Sequence, residues 1–331
     1  MRQTRPAYFD RFRCLAGACP DSCCAGWEID VDDVSAARYR TLPGPLGDRL
    51  RQVLEETEDG VRFRCADGRC PMWRQDGLCQ IQAELGEAAL CDVCREFPRL
   101  THDYGAFREL GLELSCPEAA RLILSDPGGP LLSRTVPDPA EEPEDPDALE
   151  TLLRTREQAF TLLRQPGPIR QRLALLLLYG YQVQAELDGA EAAPFDPEDA
   201  LRAGRALAEG ADTPSFLPLF RSLEILTPQW RQRLDRPAAA ADWDGPYEAL
   251  ARYGVLRYWL QAVSDYDLAA RVKLVVLSCL LTAELGGDFL QTAQLYAKEI
   301  ENDADNLDAL LDAAYTHPAL TDAALLHRLL F

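Results

Sequence analysis

Residues Phe12–Asp32 read FRCLAGACPDSCCAGWEIDVD, with cysteines at 14, 19, 23 and 24 in the spacing C-x4-C-x3-C-C. Cys65, Cys70, Cys79, Cys91, Cys94 and Cys116 follow, and the eleventh cysteine, Cys279, stands far away. Cysteine often serves as a small buried hydrophobe. That suits Cys279, which sits in the apolar run VKLVVLSCLL from Val272. It does not account for ten thiols in the first third of the chain. A thiolate is a strong metal ligand, and close spacing lets one loop present several sulfurs to one centre. Cys91 and Cys94 lie three apart in a segment with helical signals, so both sulfurs share a face. The N-terminal part therefore reads as a module folded around metal.

The surrounding sequence sets the compartment. The opening MRQTRPAYFDRFRC has no apolar stretch of the signal-peptide kind. The longest apolar runs, LALLLLY from Leu173 and the run from Val272, are far short of the ~20 residues that span a bilayer. A soluble, cytoplasmic protein is expected, with no membrane partner. Thiols stay reduced there, which favours metal over disulfides. Structural zinc commonly shows paired C-x2-C knuckles or mixed Cys/His ligands. Here one C-x2-C occurs and the only nearby histidine is His102. Ligation by cysteine alone points to an iron–sulfur cluster, with zinc as the alternative. The C-x3-C-x2-C pattern of radical enzymes is absent, because Gly26 holds the third place after Cys19 and Cys23.

The chain has 331 residues and a net charge of −20, which repels a phosphate backbone and argues against nucleic acid as a partner. Basic, lysine-bearing protein segments are easier partners. Only two lysines occur, Lys273 and Lys298, among 34 basic residues.

Three parts are expected: a cysteine-rich metal-binding module over 1–126, a proline-rich and acidic linker over 127–148, and a helical domain over 149–331. The linker carries six prolines between 127 and 147 and cannot form a core element. Beyond it the apolar period is helical. Leu149, Leu152, Leu153, Phe160 and Leu163 form one stripe, Phe289, Ala293, Tyr296 and Ile300 a second, and Leu307, Leu310, Leu311 and Ala314 a third. Gln171–Leu187 is apolar nearly all round and predicts a buried central helix. Six to eight helices are expected there, with little or no sheet. In the module, Val34–Arg40, Leu46–Glu56, Ala88–Phe97 and Pro117–Ser125 predict short helices. Gly60–Cys65 and Glu109–Cys116 alternate like strands and are expected to pair as a small ribbon. The fold class is thus mainly α: an irregular cysteine-rich metal module with a small β ribbon, packed on a C-terminal helical domain.

Phe12–Asp32 resembles the opening of the flagellin lysine-N-methylase (FliB-type) family. So do CPMWRQDGLCQIQAELGEAALCDVCREFPR (Cys70–Arg99), ELGLELSCPEAARLIL (Glu109–Leu124) and YAKEIENDADNLDALL (from Tyr296). The resemblance spans nearly the whole chain, although 126–240 carries no recognised motif. It implies transfer of a methyl group from S-adenosylmethionine to lysine ε-amines of a protein, with flagellin as the expected partner. It also implies an iron–sulfur cluster of the 4Fe-4S kind. Cys14, Cys19, Cys23, Cys24, Cys70, Cys79, Cys94 and Cys116 match the family pattern as metal ligands, and Cys65 and Cys91 fit it less firmly. A shorter pattern of the same kind occurs in small zinc- or iron-chelating proteins, so the motif speaks more for metal than for methylation. The alternatives are a non-enzymatic iron- or zinc-binding module joined to a helical interaction domain, and an iron-dependent enzyme modifying another peptide.

Methyl transfer to an amine needs a held donor, a neutral lysine and a group that takes the ammonium proton. No glycine-rich loop follows a strand, so a Rossmann-type donor site is not expected. Arg95 and Arg99, flanking Pro98 after Cys94, are candidates for the donor's carboxylate. Tyr296 and Glu299, with Glu301 beside them, are catalytic candidates, since a tyrosine beside carboxylates can receive a lysine head group. Tyr247, Glu248 and Tyr253 form a weaker group of the same type. Trp27 is expected to shield the metal, and Glu118 to favour the dipole of the helix it opens.

Overall fold

The computed structural model describes residues 1–26, 28–58, 60–126, 128–238, 243 and 245–331; Trp27 lies outside the described residues. Helix starts are written by acids and prolines. Asp32, Asp145, Asp267, Asp288 and Asp303 each accept a backbone N–H in the first turn of the helix they open. Proline occupies the first turn of Pro146–Leu163, Pro197–Ala208, Pro228–Asp235 and Pro246–Tyr258, where its missing N–H costs nothing. Ten α-helices follow the linker among the described residues, more than the six to eight expected. The difference is the short pieces Leu217–Ser222 and Pro228–Asp235, whose few apolar positions make no readable period, whereas Phe289–Tyr296 lies on the stripe expected from Phe289 to Ile300.

Two helices cross at the centre. Ile169–Leu187 is largely buried, as its all-round apolar sequence implies. Leu268–Leu285 is buried along nearly its whole length, including Cys279. Glycines let the backbones approach: a Cβ at Gly180 would stand 2.8 Å from Val272 Cγ2, and one at Gly254 2.8 Å from Val275 Cγ2. Both lysines are buried and ion-paired, Lys273 with Asp322 at 2.8 Å and Lys298 with Asp21 at 2.9 Å. No helix among the described residues is long and apolar enough to cross a membrane.

The two strands expected to pair with each other do not. Gly60–Phe63 joins Leu54–Thr57 and Asp30–Val31 in one antiparallel sheet. Phe107–Leu112 joins Arg99–Asp103 through a tight turn, with Arg2–Arg5 and Leu132–Thr135 completing a four-stranded sheet. Each of the two strands is paired with its neighbour in sequence on one side and with a distant segment on the other. The proline-rich linker thus supplies an exposed edge strand, Leu132–Thr135, without entering the core. The segment Ala88–Phe97 is not one helix but a turn, Glu87–Ala89, and a short helix, Asp92–Glu96, separated at Leu90-Cys91.

The hydrophobic interior divides elsewhere than at the linker. Tyr8, Phe12, Phe107, Leu112 and Ile123 belong to the large core of the C-terminal helices. A second, small core joins Ile29, Tyr39, Leu50, Phe63 and Met72. The four-stranded sheet is docked on the helices by Glu109, which makes a buried bidentate pair with Arg156 at 2.7 and 2.8 Å.

Candidate functional site

All eleven cysteines are free thiols. The loop that carries the first four runs from Phe12 through a 3-10 turn, Ala16–Ala18, to Gly26. Ala16 N–H donates to Cys14 Sγ at 3.4 Å, and Cys19 Sγ donates to the Asp21 carbonyl at 3.0 Å. The loop is then fixed from two sides. Cys70 N–H donates to the Cys24 carbonyl and Gly26 N–H to the Gly68 carbonyl, both at 2.8 Å. On the other side, the Asp21 carboxylate accepts from Gln294 Nε2 and Lys298 Nζ, at 2.9 Å each.

The later cysteines sit at element boundaries. Cys79, Cys91 and Cys116 each immediately precede a short helix, Gln80–Leu85, Asp92–Glu96 and Pro117–Leu124. Asp32 links two of these elements: its Oδ1 caps the helix Asp33–Thr41 through Ser35 N–H, and its Oδ2 accepts from Asp92 N–H beside Cys91. The Cys91 thiol is held below its ordinary value first by Cys94 and then by backbone N–H groups, against burial. Burial pushes the Cys116 thiol up to about 11, with the Ala119 and Glu118 N–H groups pulling the other way. Cys24 is held low by hydrogen bonds from Cys23 and Cys70. These are crowded thiols competing for protons, and a metal that deprotonates them relieves that competition. Among the described residues no three Cys, His, Asp or Glu side chains close on one point as a single ion requires.

The helix Phe289–Tyr296 does not continue regularly. Ala297–Glu301 forms a π-helical turn, a wide turn that is uncommon and recurs at functional sites. Its side chains fan out in three directions. Lys298 reaches Asp21 on the cysteine loop. Glu299 accepts from Leu226 N–H at 2.7 Å and from the Thr227 hydroxyl, clamping the segment before Pro228–Asp235. Glu301 points into a buried polar cage, where Tyr253 Oη donates to its Oε2 at 2.5 Å and Arg257 Nε stands 3.6 Å from the same oxygen. Tyr258 lies beside both Glu301 and Arg257. Tyr253 Oη also accepts from Leu114 N–H at 3.3 Å, two residues before Cys116. Glu113 is held above the ordinary carboxylate range by burial, against the pull of Arg257. The cage therefore touches the cysteine module twice, through Glu113-Leu114 and through Lys298.

Tyr296 is buried in this cage, with Tyr258, Glu301 and Arg257 as its electrostatic neighbours. Its hydroxyl has no hydrogen-bond partner among the described residues. Glu299 belongs to the same π turn but shares no hydrogen-bond partner with Tyr296 among the described residues. Arg95 pairs with Asp92 and Glu96 at the surface. Arg99 lies over the Phe12 ring, 5.3 Å from its centroid, at the entrance to the cysteine loop. Tyr247 packs edge-on against Phe289, and Glu248 pairs with Arg172 at 2.5 Å. Glu118 makes two bonds to Arg121, at 2.8 and 2.7 Å. Sequence reasoning missed Asp21, Glu113, Arg257 and Tyr258. Asp21 and Glu113 carry no local signal because their partners Lys298 and Arg257 lie more than a hundred positions away, and Arg257 meets Glu301 across 44.

Two clefts border the cage. One is lined by Tyr8, Asp126, Phe160, Arg164, Arg252 and Tyr253. The other, little more than a crevice, is lined by His102, Glu109, Tyr253 and Arg257. Both reach Tyr8, Tyr253 and Leu256, so Tyr253 connects open surface to the buried carboxylate. The only parallel strand pair among the described residues is Arg2–Arg5 with Phe107–Leu112. That pairing is not a βαβ nucleotide-binding unit.

Over 131 residues the chain is 34% identical to a Salmonella muenchen protein named flagellar biosynthetic protein FliU, matching 38% of this chain and 78% of that one. Over 137 residues it is 34% identical to proteins named lysine-N-methylase from Salmonella typhimurium and Salmonella choleraesuis, 39% of this chain in each case. The match spans about a third of the length of those lysine-N-methylases, 34%. No family model matches the chain, and no solved structure matches it.

Proposed function

Because the chain belongs to the FliB-type family of lysine-N-methylases, we propose that it methylates lysine ε-amines of a protein, with S-adenosylmethionine as donor, flagellin as substrate and a cysteine-bound iron–sulfur cluster as cofactor. The observation that carries this reading beyond the family is the π-helical turn, which joins a buried carboxylate–tyrosine cage to the cysteine loop.

The donor, when bound, supplies an electrophilic methyl group on a sulfonium. The rest falls to the chain. A lysine at pH 7 is an ammonium, with a pKa of ~10.4, and cannot attack until it loses a proton. Tyr253, facing the clefts and hydrogen-bonded to Glu301, is the group we assign to guide that proton inward. Arg257 beside Glu301 keeps the carboxylate in place. Tyr296 walls the same cage, and Glu299 holds the π turn against the segment at Leu226 and Thr227. Arg99, at the entrance to the cysteine loop, is placed to meet a donor carboxylate, whereas Arg95 is committed to its two acids. Cys14, Cys19, Cys23, Cys24, Cys70, Cys79, Cys94 and Cys116 are the ligand set carried over from the family pattern. The burial of both lysines leaves the enzyme without an exposed lysine of its own among the described residues.

The test is incubation of anaerobically purified protein with S-adenosylmethionine and flagellin, followed by peptide mass spectrometry. Methylated flagellin lysines, lost in Tyr253→Phe, are the expected result. No methyl incorporation by protein with its metal intact would reduce the chain to a metal-binding module.

A further inference from the structure

The proline-rich linker opens on DPGGP, residues 126–130. Asp126, Gly129 and Pro130 form one lip of the cleft that ends on Tyr253. Gly128 has φ +86°, and a Cβ there would stand 2.1 Å from Arg252 Nη1. A side chain at 128 would therefore displace the guanidinium that reaches Asp126 Oδ2, 3.4 Å away. A Cβ at Gly129 would meet nothing within 4 Å, so this lip faces open space.

The walls are ordered by depth. Glu157 and Arg164 are exposed at the mouth. Asp126 and Arg252 come next, their side chains 12% and 13% exposed. Tyr8, Ile123, Phe160 and Tyr253 are buried and line the interior. The Tyr8 hydroxyl has Asp126 and Arg252 as its electrostatic neighbours, and no hydrogen-bond partner among the described residues. At the far end Tyr253 Oη donates to Glu301 Oε2. An aromatic passage with charges at its mouth and a phenol–carboxylate pair at its end fits a slender side chain, one with an unbranched apolar stem and a polar tip.

We propose that this cleft is the channel for the substrate's lysine side chain, with the stem against Tyr8 and Phe160 and the amine brought to Tyr253. The proposal rests on the reading that the chain methylates lysine, and it names where the amine sits. Desolvation among these rings disfavours the ammonium, and so does the charge of Arg252. Asp126 offsets Arg252 only in part, because its Oδ2 is already engaged by Gly128 N–H at 3.1 Å and by Arg252. The ammonium proton passes to Tyr253 Oη as the phenol proton moves to Glu301, and the unpartnered Tyr8 hydroxyl is free to bond the neutral amine. Arg252 is a positioning residue here, acting through the field it sets along the channel.

The test uses the full chain, purified anaerobically, beside Gly129→Trp, which fills the mouth from the position whose Cβ meets open space. Circular dichroism reports folding. The probe is Nα-acetyl-lysine methylamide, followed by saturation-transfer NMR. Equilibrium dialysis measures S-adenosylmethionine binding, and mass spectrometry measures methyl transfer to flagellin. Lysine side-chain signals are expected with the natural chain and are lost in Gly129→Trp together with methyl transfer, while S-adenosylmethionine binding is kept. Undiminished probe signals in folded Gly129→Trp would overturn the channel. So would loss of S-adenosylmethionine binding there, which would give the cleft to the donor instead. A natural chain that binds the probe in this cleft but transfers no methyl group would sink the methylase reading and leave the lysine site standing. Arg252→Gln decides if Gly129→Trp fails to fold. The acid limb of its methyl-transfer profile is expected to move up by about one pH unit, tenfold in rate, and to return in Arg252→Lys. An unmoved limb in Arg252→Gln would overturn the proposal.

Discussion

Asp21→Ala removes the one carboxylate that ties the cysteine loop to the π-helical turn. It deletes the acceptor of two bonds from Lys298 Nζ, at 2.9 and 3.0 Å, and one from Gln294 Nε2 at 2.9 Å. The Lys298 side chain is 3% exposed, so its ammonium cannot turn to bulk water without local opening. Removing one partner of a buried ion pair costs ~3–5 kcal/mol. Asp21 itself is 33% exposed, which lets water substitute in part and puts the loss at the lower end, about 3 kcal/mol. At ~2 °C per kcal/mol in a chain of this size, that is roughly 6 °C in melting temperature. Most of the loss lies in the ammonium deprived of its carboxylate, not in the attraction of the pair. The double variant Asp21→Ala/Lys298→Met, which keeps an apolar stem, is therefore expected to regain most of it. Urea unfolding of the anaerobically purified proteins at equal metal content, followed by circular dichroism, gives the free energies. An Asp21→Ala protein within about 0.5 kcal/mol of the natural chain, or a double variant no better than the single, would refute the tie.

Tyr253→Phe takes a donor from Glu301 and an acceptor from Leu114 N–H, and should lower stability by ~2–3 kcal/mol in urea unfolding along with methyl transfer. Glu109→Ala leaves Arg156 buried without its bidentate partner, and a loss of ~3–5 kcal/mol is expected in the same assay. Cys279→Ser should keep the full metal content by elemental analysis, because Cys279 lies deep in the helix Leu268–Leu285, away from the other thiols. His102 is held below its ordinary value of 6.5, first by burial and then by Arg257. The folded chain therefore binds fewer protons than the unfolded one just below that pH, and stability rises with pH up to about 6.5 and then levels off. His102→Gln should flatten that rise in melting temperatures measured across the acid range.

The parts of this protein that were legible in its sequence are those whose cause is local. Leu149, Leu152 and Leu163 stand on one helical stripe because a single helix must bury one face, and all three are buried. Cys279 read as a core thiol because its neighbours are apolar, and it is enclosed. The expected ribbon failed because alternation tells which segments are strands but not whom they pair with. Gly60–Phe63 and Phe107–Leu112 each closed a hairpin with a neighbour that has no comparable apolar pattern, Leu54–Thr57 and Arg99–Asp103.

The candidate site shows the same limit from the other side. The cysteines announce themselves through density alone, but what they are tied to does not. Asp21 reads as one more acid in an acidic chain, and Lys298 as one more charge on a C-terminal helix, until the two meet across 277 positions. The π turn hides for a further reason. Tyr296, Ala297 and Ile300 keep an ordinary helical apolar spacing, so nothing in the sequence marks the extra residue that the wide turn absorbs. That residue lets Lys298 and Glu301, three apart in sequence, turn to different partners, while Glu299 meets a third. A regular helix would set positions 298 and 301, three apart, toward one side and draw the loop and cage contacts together, whereas position 299 diverges from 298 in either geometry. The irregularity is thus what couples the thiol-rich loop to the buried carboxylate, and a substitution that restored regular helix there would separate the two before it disturbed either.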